Sequence, residues 1–545
     1  MKRVKNILLI IYLLILTLIL IVSFYFKFCF SNETIEELYF YLTNGVVHAD
    51  AGVFLIAIGD CLLFFLLIFG TLLALYYNVL INKEVYLNIK FKNRKLIRKQ
   101  IYPLNFFLKH RKISLVITTI FILFLSILNM NGIDYVKDNV KVSTFIEDNY
   151  VMPKNSNIVF EKKNNLILIF AESFETTLFS KEEGGEWNYD VMPDMYHLLN
   201  EEDSIYFASD NKIGGVNDLF ATTWTTASIV ANTSGLPFKI PIDGNKYHSD
   251  DFMNGAYTLG DVLKDNEYYN EVISAANMSF GGLKEYYTKH GNYNIIDSDN
   301  VKKYDRNYNK SNKSSWGMND KYLFDIAKKR LENISKTNKP FNLNLITIDT
   351  HGNDEYIGTY SERKYKSSNE NAYATSSKLI YEFIGYVKKQ PYYKDTTIVI
   401  LGDHPSMHKT IYKNIDKSRR LRYNVIINSL RTSNNTKNRT FTALDMYPTI
   451  LSSIGANIEN DRLSLGTNLF SNKKTLSEQY GLSKLNSEMS KRSMFYNEEI
   501  LGNDYTKLLL RNKDRHYLSF DKNKTWHKKI RDCGKLSLIF ALKIR

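Results

Sequence analysis

Three short apolar segments of the chain each end in residues that can bind a metal ion. Their length and composition are typical of strands buried on both faces of a parallel sheet. In open α/β sheets the carboxyl ends of such strands lie at one edge, where ligands bind. The sequence therefore predicts that these polar side chains meet there. The segments are 165–171, followed by Glu172 and Ser173; 341–348, followed by Asp349, Thr350 and His351; and 396–401, followed by Gly402, Asp403 and His404.

Each of these signals has a purely structural alternative when it is taken alone. Ser173 could cap a helix instead of following a strand, and Gly402-Asp403-His404 could be a turn with a capping Asp. Their joint occurrence favours a metal site. Two carboxylates and one imidazole suit Mn²⁺, Mg²⁺ or Zn²⁺, and the absence of a cysteine ligand favours Mn²⁺ or Mg²⁺.

A hydroxyl-rich segment, Ala221-Thr222-Thr223-Trp224-Thr225-Thr226, is a candidate source of a nucleophile. A Thr hydroxyl is a weak nucleophile until a metal or a base lowers its pKa. The same threonines could instead be capping residues of the helix predicted at 222–232. The two interpretations are compatible, because a helix N-terminus also favours the negative charge of a phosphoryl group.

Strand and helix patterns alternate through the middle of the chain and predict a doubly wound α/β domain over residues 164–472. Residues 131–163 are polar and mixed, and we interpret them as a linker. Residues 473–545 form a small basic C-terminal appendix. Helical apolar stripes at 316–331 and 376–389 are typical of core-facing helices.

The first 130 residues have the pattern of a membrane anchor. Three apolar segments, at about 7–26, 53–81 and 113–130, are predicted transmembrane helices. The segment 83–112 holds ten basic residues against one acidic residue, and short basic loops stay in the cytoplasm. The sequence therefore predicts a multi-pass membrane protein with a cytoplasmic N-terminus, whose main domain lies outside the cytoplasm; the family resemblance described below implies that this is the bacterial cytoplasmic membrane.

The formal net charge of +14 does not indicate nucleic-acid binding, because the basic excess lies at the two ends of the chain. Residues 1–112 hold 14 Lys/Arg against 6 Asp/Glu, and residues 471–545 hold 17 against 8. The domain between them is slightly acidic, which excludes a basic groove there. With three cysteines in the whole chain, two of them in or beside predicted spans, no disulfide framework is expected.

The order of these motifs resembles that of the membrane phosphoglycerol transferases, within the alkaline phosphatase/sulfatase superfamily. These include lipoteichoic acid synthase and the phosphoglycerol transferase I of osmoregulated periplasmic glucans, and the latter is the more similar. The resemblance implies transmembrane helices followed by an α/β/α sandwich with a mostly parallel central sheet. It is carried by Phe170-Ala171-Glu172-Ser173, the Thr222 segment running to Gly235-Leu236-Pro237, Thr350-His351, Gly402-Asp403-His404, Tyr41-Leu42-Thr43-Asn44, Lys289-His290-Gly291, and Trp316-Gly317 with Asp320.

The resemblance also implies roles for individual residues. Thr222 matches the nucleophile by its distance to Gly235-Leu236-Pro237, with Thr223 and Thr225 as nearby alternatives. The synthase's Trp-Asn-Arg motif is absent, and Lys284 stands in that region as a single charge rather than a fork. The implied metal ligands are Glu172, Asp403 and His404, together with Thr222, and the implied substrate contacts are His351, Lys284 and Trp316.

The function implied is transfer of phosphoglycerol from phosphatidylglycerol to a hydroxyl of a cell-envelope glycan or polymer. One alternative is phosphoethanolamine transfer to lipid A or a glycan, but those relatives carry several disulfides in their soluble domain. A second is a sulfatase-like ester hydrolase, but 221–226 lacks the Pro and Arg of the sulfatase motif. A binding or scaffold protein with a decayed site is disfavoured by the complete set of Glu172, Thr222, Asp403 and His404.

Overall fold

We describe the protein from a computed structural model of the chain. The structure describes residues 2–29, 34–40, 51–76, 86–89, 97–100, 109–154, 157–210, 212–240, 251–352, 355–408, 411–412 and 414–502. The basic segment 83–112, the motif Tyr41-Leu42-Thr43-Asn44 and the end of the C-terminal appendix lie wholly or largely outside these residues.

Two N-terminal helices are long and apolar enough to cross a bilayer within the described part of the chain. Helix α1 (Lys2–Cys29) contains the apolar stretch Arg3–Phe28, and α4 (Arg111–Asn129) is the second such helix. They agree with the first and third predicted spans. The predicted span at 53–81 falls on α3 (Ala51–Tyr76), where the described residues give only the shorter apolar stretch Cys61–Tyr76. A third crossing, and with it the predicted multi-pass arrangement, is therefore not supported by the described residues.

Short elements connect these helices to the main domain. Helix α2 (Ile35–Phe40) follows α1, and α5 (Gly132–Val140) and α6 (Phe145–Asn149) follow α4. The strands β1 (Tyr86–Ile89) and β2 (Ile97–Gln100) form an antiparallel pair. Strand β3 (Ile158–Phe160) pairs with β11 (Ala456–Ile458), so the predicted linker is joined to the main domain at its end.

A seven-stranded mixed sheet forms the centre of the main domain as described. Its order is β5-β10-β9-β4-β8-β6-β7, and β4 lies parallel to both β8 and β9. Among these strands only β10 runs in the reverse direction, so it is antiparallel to both β5 and β9. The strands are β4 (Asn165–Ala171), β5 (Ser204–Ile205), β6 (Tyr269–Ser274), β7 (Asn294–Ile296), β8 (Phe341–Ile346), β9 (Thr396–Gly402) and β10 (Asn424–Ile427).

Strand β4 is buried on both faces, as its unbroken apolar composition predicts. Leu166, Leu168 and Phe170 belong to the core on one face of the sheet, and Ile167 and Ile169 belong to the core on the other. Helices cover both faces, which confirms the α/β sandwich. They are α7 (Pro193–Leu199), α8 (Thr225–Ser234), α9 (Leu259–Asp265), α10 (Leu283–Lys289), α11 (Asp320–Ile334), α12 (Ser368–Lys388) and α13 (Ala443–Ser453).

The described part of the C-terminal appendix packs onto the main domain. Leu476, Leu485 and Tyr496 are buried in the same core as α8 and α13. The elements of this region are β12 (Arg462–Leu463), β13 (Gly466–Thr467), α14 (Leu476–Tyr480), α15 (Leu482–Ser490) and a π-helical turn over Tyr496–Leu501.

Candidate metal centre and nucleophile

The two carboxylates of the site stand on neighbouring strands. Ala171 of β4 pairs with Gly402 of β9 in parallel register, so the next residues, Glu172 and Asp403, leave the sheet side by side. Both side chains are 1% exposed. Sheet register therefore brings together two residues that are 231 positions apart, counted along the printed sequence.

A strained turn after β4 holds the carboxylates in place. Ser173 has a positive φ of 58°, a conformation that is uncommon outside glycine. In this turn the Ser173 N–H donates to Asp403 Oδ1 at 2.7 Å and its hydroxyl donates to Glu172 Oε1 at 2.7 Å. The backbone of Glu172 is fixed as well, because its N–H donates to Thr347 Oγ1 at 2.8 Å.

The imidazole of His404 points one nitrogen at both carboxylates. Its Nε2 lies 3.5 Å from Glu172 Oε1 and 3.5 Å from Asp403 Oδ2. Its Nδ1 lies 3.0 Å from the carbonyl oxygen of Pro405. A carbonyl can only accept, so we assign the proton to Nδ1, which leaves the Nε2 lone pair available as a ligand.

This cluster fits a divalent metal ion. Glu172, Asp403 and His404 each offer a ligand atom, and these atoms lie within 4.8 Å of one another. Glu172 Oε2 and Asp403 Oδ2 are buried and have no hydrogen-bond partner within the described residues. A buried carboxylate oxygen without a donor is costly, and a cation would satisfy both oxygens.

The electrostatics of the three side chains also point to a missing positive charge. Burial, together with the negative charge of Asp403, raises the pKa of Glu172 to about 8. Burial opposes a charged imidazole at His404, but the carboxylates of Asp403 and Glu172 outweigh it and raise the pKa of His404. Without a cation the cluster therefore takes up protons, as expected of metal ligands.

Thr225, and not Thr222, stands at this cluster. Thr225 Oγ1 lies 3.4 Å from His404 Nε2, and Thr225 is partly exposed. Thr222 is fully buried, and its hydroxyl both donates to Leu219 O at 2.9 Å and accepts from Leu219 N–H at 3.2 Å. The Thr222 hydroxyl is therefore engaged in backbone hydrogen bonds of the turn before α8. The spacing of residues along the chain did not reveal this.

The position of Thr225 at the start of a helix suits phosphoryl chemistry. Trp224 is the N-cap of α8, and Thr225 is its first helical residue. The free N–H groups and the positive end of the helix dipole favour an anion there. The helix predicted at 222–232 thus begins three residues later, and Thr225 rather than Thr222 lies beside His404.

Arg422 connects the segment Thr222–Ser228 to Asp403, and the sequence patterns did not indicate it. This side chain is fully buried, and its Nη1 donates to Asp403 O at 2.8 Å, Thr222 O at 3.2 Å and Ser228 Oγ at 3.2 Å. Its Nε also lies 3.3 Å from Asp218 Oδ1. The available signal was an arginine two residues before β10, close after Arg419 and Arg420.

Two of the predicted substrate contacts, Trp316 and His351, lie together, and His351 is close enough to His404 to feel its charge. The rings of Trp316 and His351 are 4.6 Å apart, and Phe280 lies 6.1 Å from Trp316. Trp316 Nε1 and His351 Nδ1 are buried atoms without a hydrogen-bond partner within the described residues. Burial and the charge of His404 lower the pKa of His351 to about 4, so His351 is neutral at pH 7. Lys284 is exposed in the first turn of α10.

Comparison with known proteins places the fold and the site in a family. The sulfatase family model matches residues 164–456, which is more than half of the chain and includes every residue of the cluster. The chain belongs to the sulfatase family. The predicted relationship to the alkaline phosphatase/sulfatase superfamily is confirmed.

Curated relatives of this sulfatase-family chain carry a more specific name. Phosphoglycerol transferase I of Escherichia coli O127:H6 is 31% identical over 274 residues, which are 49% of this chain and 34% of that protein. The protein of the same name from Shigella boydii serotype 18 has the same identity and coverage. The chain thus spans about a third of the length of the curated relatives it matches.

Comparison with solved structures gives matches of lower similarity. The lipoteichoic acid synthase LtaP from Listeria monocytogenes is 17% identical, with a TM-score of 0.44 over 61% of this chain and 82% of that one. The phosphoglycerol transferase GacH from Streptococcus pyogenes, in complex with sn-glycerol-1-phosphate, is 12% identical, with a TM-score of 0.41 over 70% of this chain and 94% of that one.

Proposed function

We propose that this chain is a membrane-anchored, metal-dependent phosphoglycerol transferase. It moves phosphoglycerol from phosphatidylglycerol to a hydroxyl of a cell-envelope glycan or polymer. The observation that carries the proposal is the partly exposed Thr225 hydroxyl at a helix N-terminus, 3.4 Å from His404 Nε2 and beside the buried carboxylates. The name shared by the curated relatives supports the choice of phosphoglycerol as the transferred group.

Thr225 is the nucleophile in this proposal, in place of Thr222. Its Oγ attacks the phosphorus of the donor while the bond from phosphorus to the diacylglycerol oxygen breaks, and diacylglycerol leaves with a proton. The acceptor hydroxyl then attacks the same phosphorus, loses its proton, and frees Thr225 as the alcohol. The covalent phosphodiester separates the two half-reactions, so that donor and acceptor need not bind together.

Glu172, Asp403 and His404 would hold the metal ion, with Mn²⁺ or Mg²⁺ favoured over Zn²⁺ by the two oxygen ligands. A bound divalent ion would lower the pKa of a nearby hydroxyl and neutralise charge on the phosphoryl oxygens. The N–H groups of the first turn of α8 face the same phosphoryl oxygens. Arg422 keeps the Thr222–Ser228 segment and Asp403 at a fixed separation through its three hydrogen bonds.

The donor headgroup is held, in this proposal, by the side of the site that carries His351 and Trp316. Their ring nitrogens lack partners within the described residues and can bond to the phosphate and the glycerol hydroxyls. Because His351 is neutral at pH 7, it contributes a hydrogen bond rather than a charge. Lys284 is free to approach a phosphate oxygen from solvent, since its side chain is exposed.

In this proposal the donor is a membrane lipid. The presence of the membrane helices α1 and α4 supports a lipid donor. Asn129 Nδ2 donates to Ser23 Oγ at 3.2 Å, which joins the two helices at the end nearer the main domain. A domain tethered there can reach lipid headgroups without a carrier. We place this domain outside the cytoplasm, where envelope glycans are found. Lys2, Arg3 and Lys5 favour a cytoplasmic N-terminus, and because α1 and α4 meet at their C-terminal ends, the proposal includes a return crossing between them through α3.

The decisive experiment uses the purified full-length protein in detergent with phosphatidylglycerol and no acceptor. We expect diacylglycerol release and a glycerophosphoryl mass on the peptide that contains Thr225. Phosphatidylethanolamine and a sulfate ester serve as competing donors. An adduct formed only from phosphatidylethanolamine would assign phosphoethanolamine transfer, and hydrolysis of the sulfate ester alone would assign a sulfatase. Either result overturns the proposal.

A further inference from the structure

The short helix α2, which lies between α1 and α3 in the chain, packs into the catalytic domain. Phe40 is fully buried, and its ring lies 6.0 Å from Trp224 and 5.6 Å from Phe238. Glu37 is 4% exposed, although it is a carboxylate on a six-residue surface helix. Both side chains therefore belong to the interior of the domain that carries the metal ligands.

The indole of Trp224 connects α2 to the nucleophile. Its Nε1–H donates to Glu37 Oε1 at 3.2 Å, and Trp224 is the N-cap residue directly before Thr225. The second oxygen of Glu37 accepts from the Thr34 N–H at 2.6 Å, and the Glu37 N–H donates to Thr34 Oγ1 at 3.2 Å. The local fold of α2 thus holds the carboxylate through one oxygen, while the other fixes the indole.

Two glycines allow close packing here, Gly281 against the indole of Trp224 and Gly282 against Phe40. Gly281 and Gly282 have φ values of +66° and +74°, so side chains there would be strained. A Cβ on Gly281 would lie 3.3 Å from the Trp224 ring, and one on Gly282 would lie 2.9 Å from Phe40. Close packing of this kind transmits a displacement of α2 to Trp224.

Helix α2 is tied to the rest of the anchor as well as to the site. Asn139 of α5, the helix that follows membrane helix α4, donates from Nδ2 to Glu36 Oε1 at 3.2 Å. One short segment therefore contacts both the membrane-proximal helices and the residue before the nucleophile.

We infer that α2 completes the active site, and that Glu37 is a positioning residue that sets the orientation of Thr225 through Trp224. The inference rests on the proposed role of Thr225. It implies that the anchor contributes to turnover itself and does more than keep the enzyme near its lipid. A misplacement of the nucleophile by about 1 Å can cost on the order of a hundredfold in rate, so loss of this contact should be measurable.

The test compares Glu37→Ala, Glu37→Gln, Trp224→Phe and the double variant Glu37→Ala/Trp224→Phe in the full-length protein. The donors are phosphatidylglycerol in mixed micelles and the small soluble diester bis(p-nitrophenyl) phosphate. We expect Glu37→Ala and Trp224→Phe each to lower kcat roughly tenfold or more on both donors, with KM little changed. The double variant should be no slower than the slower single one, because both remove the same hydrogen bond.

Glu37→Gln keeps one carbonyl oxygen for the indole and should recover much of the lost kcat. Tyr39→Phe, on the exposed face of the same helix, is the matched control and should behave as the unaltered protein. Thermal unfolding and bound metal, measured for every variant, should stay close to those of the unaltered protein. Lost metal or a collapsed unfolding transition in both Glu37→Gln and Trp224→Phe would show a purely structural role and overturn the inference.

A change confined to KM for the lipid donor would show that α2 serves only membrane docking, and would also overturn the inference. Thr225→Ala is measured in parallel to separate the two hypotheses. If Thr225→Ala keeps full turnover, the proposed nucleophile is wrong. If Thr225→Ala is inactive while Glu37→Ala retains normal kcat on the soluble diester, the inference about α2 alone is wrong.

Discussion

Thr225 Oγ1 lies 3.4 Å from His404 Nε2, whereas the hydroxyl of Thr222, one turn earlier, is bonded to the backbone of Leu219. Thr225 can therefore meet a substrate at the metal ligands, and Thr222 stabilises the turn that presents it. The two threonines offer a direct comparison of a chemical role with a structural one.

Thr225→Ala should abolish the glycerophosphoryl adduct and lower turnover by roughly a thousandfold or more, because no other described hydroxyl of this segment faces His404. Thr222→Val should keep the adduct. It should lower the free energy of unfolding by about 1–3 kcal/mol, because it leaves the buried Leu219 N–H without an acceptor. Intact-mass spectrometry and chemical denaturation measure the two effects. An adduct that disappears in Thr222→Val but persists in Thr225→Ala would reverse the assignment.

Asp403→Asn should remove the metal without removing the local fold. Asp403 Oδ1 accepts from the Ser173 and His404 N–H groups, and an asparagine oxygen can accept both bonds. Only Oδ2, which faces the cluster and has no partner among the described residues, is replaced by an amide NH₂. Elemental analysis should show loss of bound metal together with loss of activity. The surface variant Asp325→Asn is the control, and full metal occupancy in Asp403→Asn would contradict the site.

Metal affinity should fall as the pH is lowered from 8 to 6. In the metal-free site the pKa values of Glu172 and His404 are both raised, so protons occupy the ligands in this range. Binding the ion must displace them, and the apparent affinity then changes by up to about tenfold per pH unit for each proton released. Calorimetry at both pH values, in buffers of different ionisation heat, counts the protons. An affinity independent of pH would argue against this ligand set.

Arg422→Met should destabilise the protein by roughly 3–5 kcal/mol and inactivate it, since it breaks a buried charged network. Arg422→Lys should also lose activity, because a single ammonium group cannot replace both Nη1, which donates to Asp403 O, and Nη2, which donates to Asn217 O. Arg419→Lys, at a partly exposed ion pair with Glu186, is the matched control and should shift the unfolding free energy by less than about 1 kcal/mol. Wild-type activity in Arg422→Lys would show that the fork geometry is unimportant.

Reporters fused after Lys163 should show that this point of the chain lies outside the cytoplasm. The basic residues at the start of α1 favour a cytoplasmic N-terminus, which puts α2 outside after the first crossing. Because α2 packs against the catalytic domain, the domain lies outside as well. Alkaline phosphatase and green fluorescent protein fusions at this position report opposite compartments. Fluorescence without phosphatase activity would place the domain in the cytoplasm.

The strands that carry the site were predictable from local composition. Residues 165–171, 341–346 and 396–402 are strands whose apolar side chains fill both faces of the sheet, and the predicted helices at 316–331 and 376–389 correspond to α11 and α12. Burial on both faces demands an unbroken apolar run, and parallel strands place the residues after their carboxyl ends at one edge of the sheet. Glu172, Asp403 and His404 were found in this way.

Sequence alone did not determine which threonine lies beside His404, nor the contacts made by Arg422 and Glu37. Thr222 and Thr225 have the same chemistry, and only the backbone path before α8 decides which hydroxyl is consumed by a turn. Arg422 and Glu37 act through contacts with residues about 200 positions away in the chain. Such contacts depend on the packing of whole elements, whereas strand and helix patterns record only whether each residue faces core or solvent.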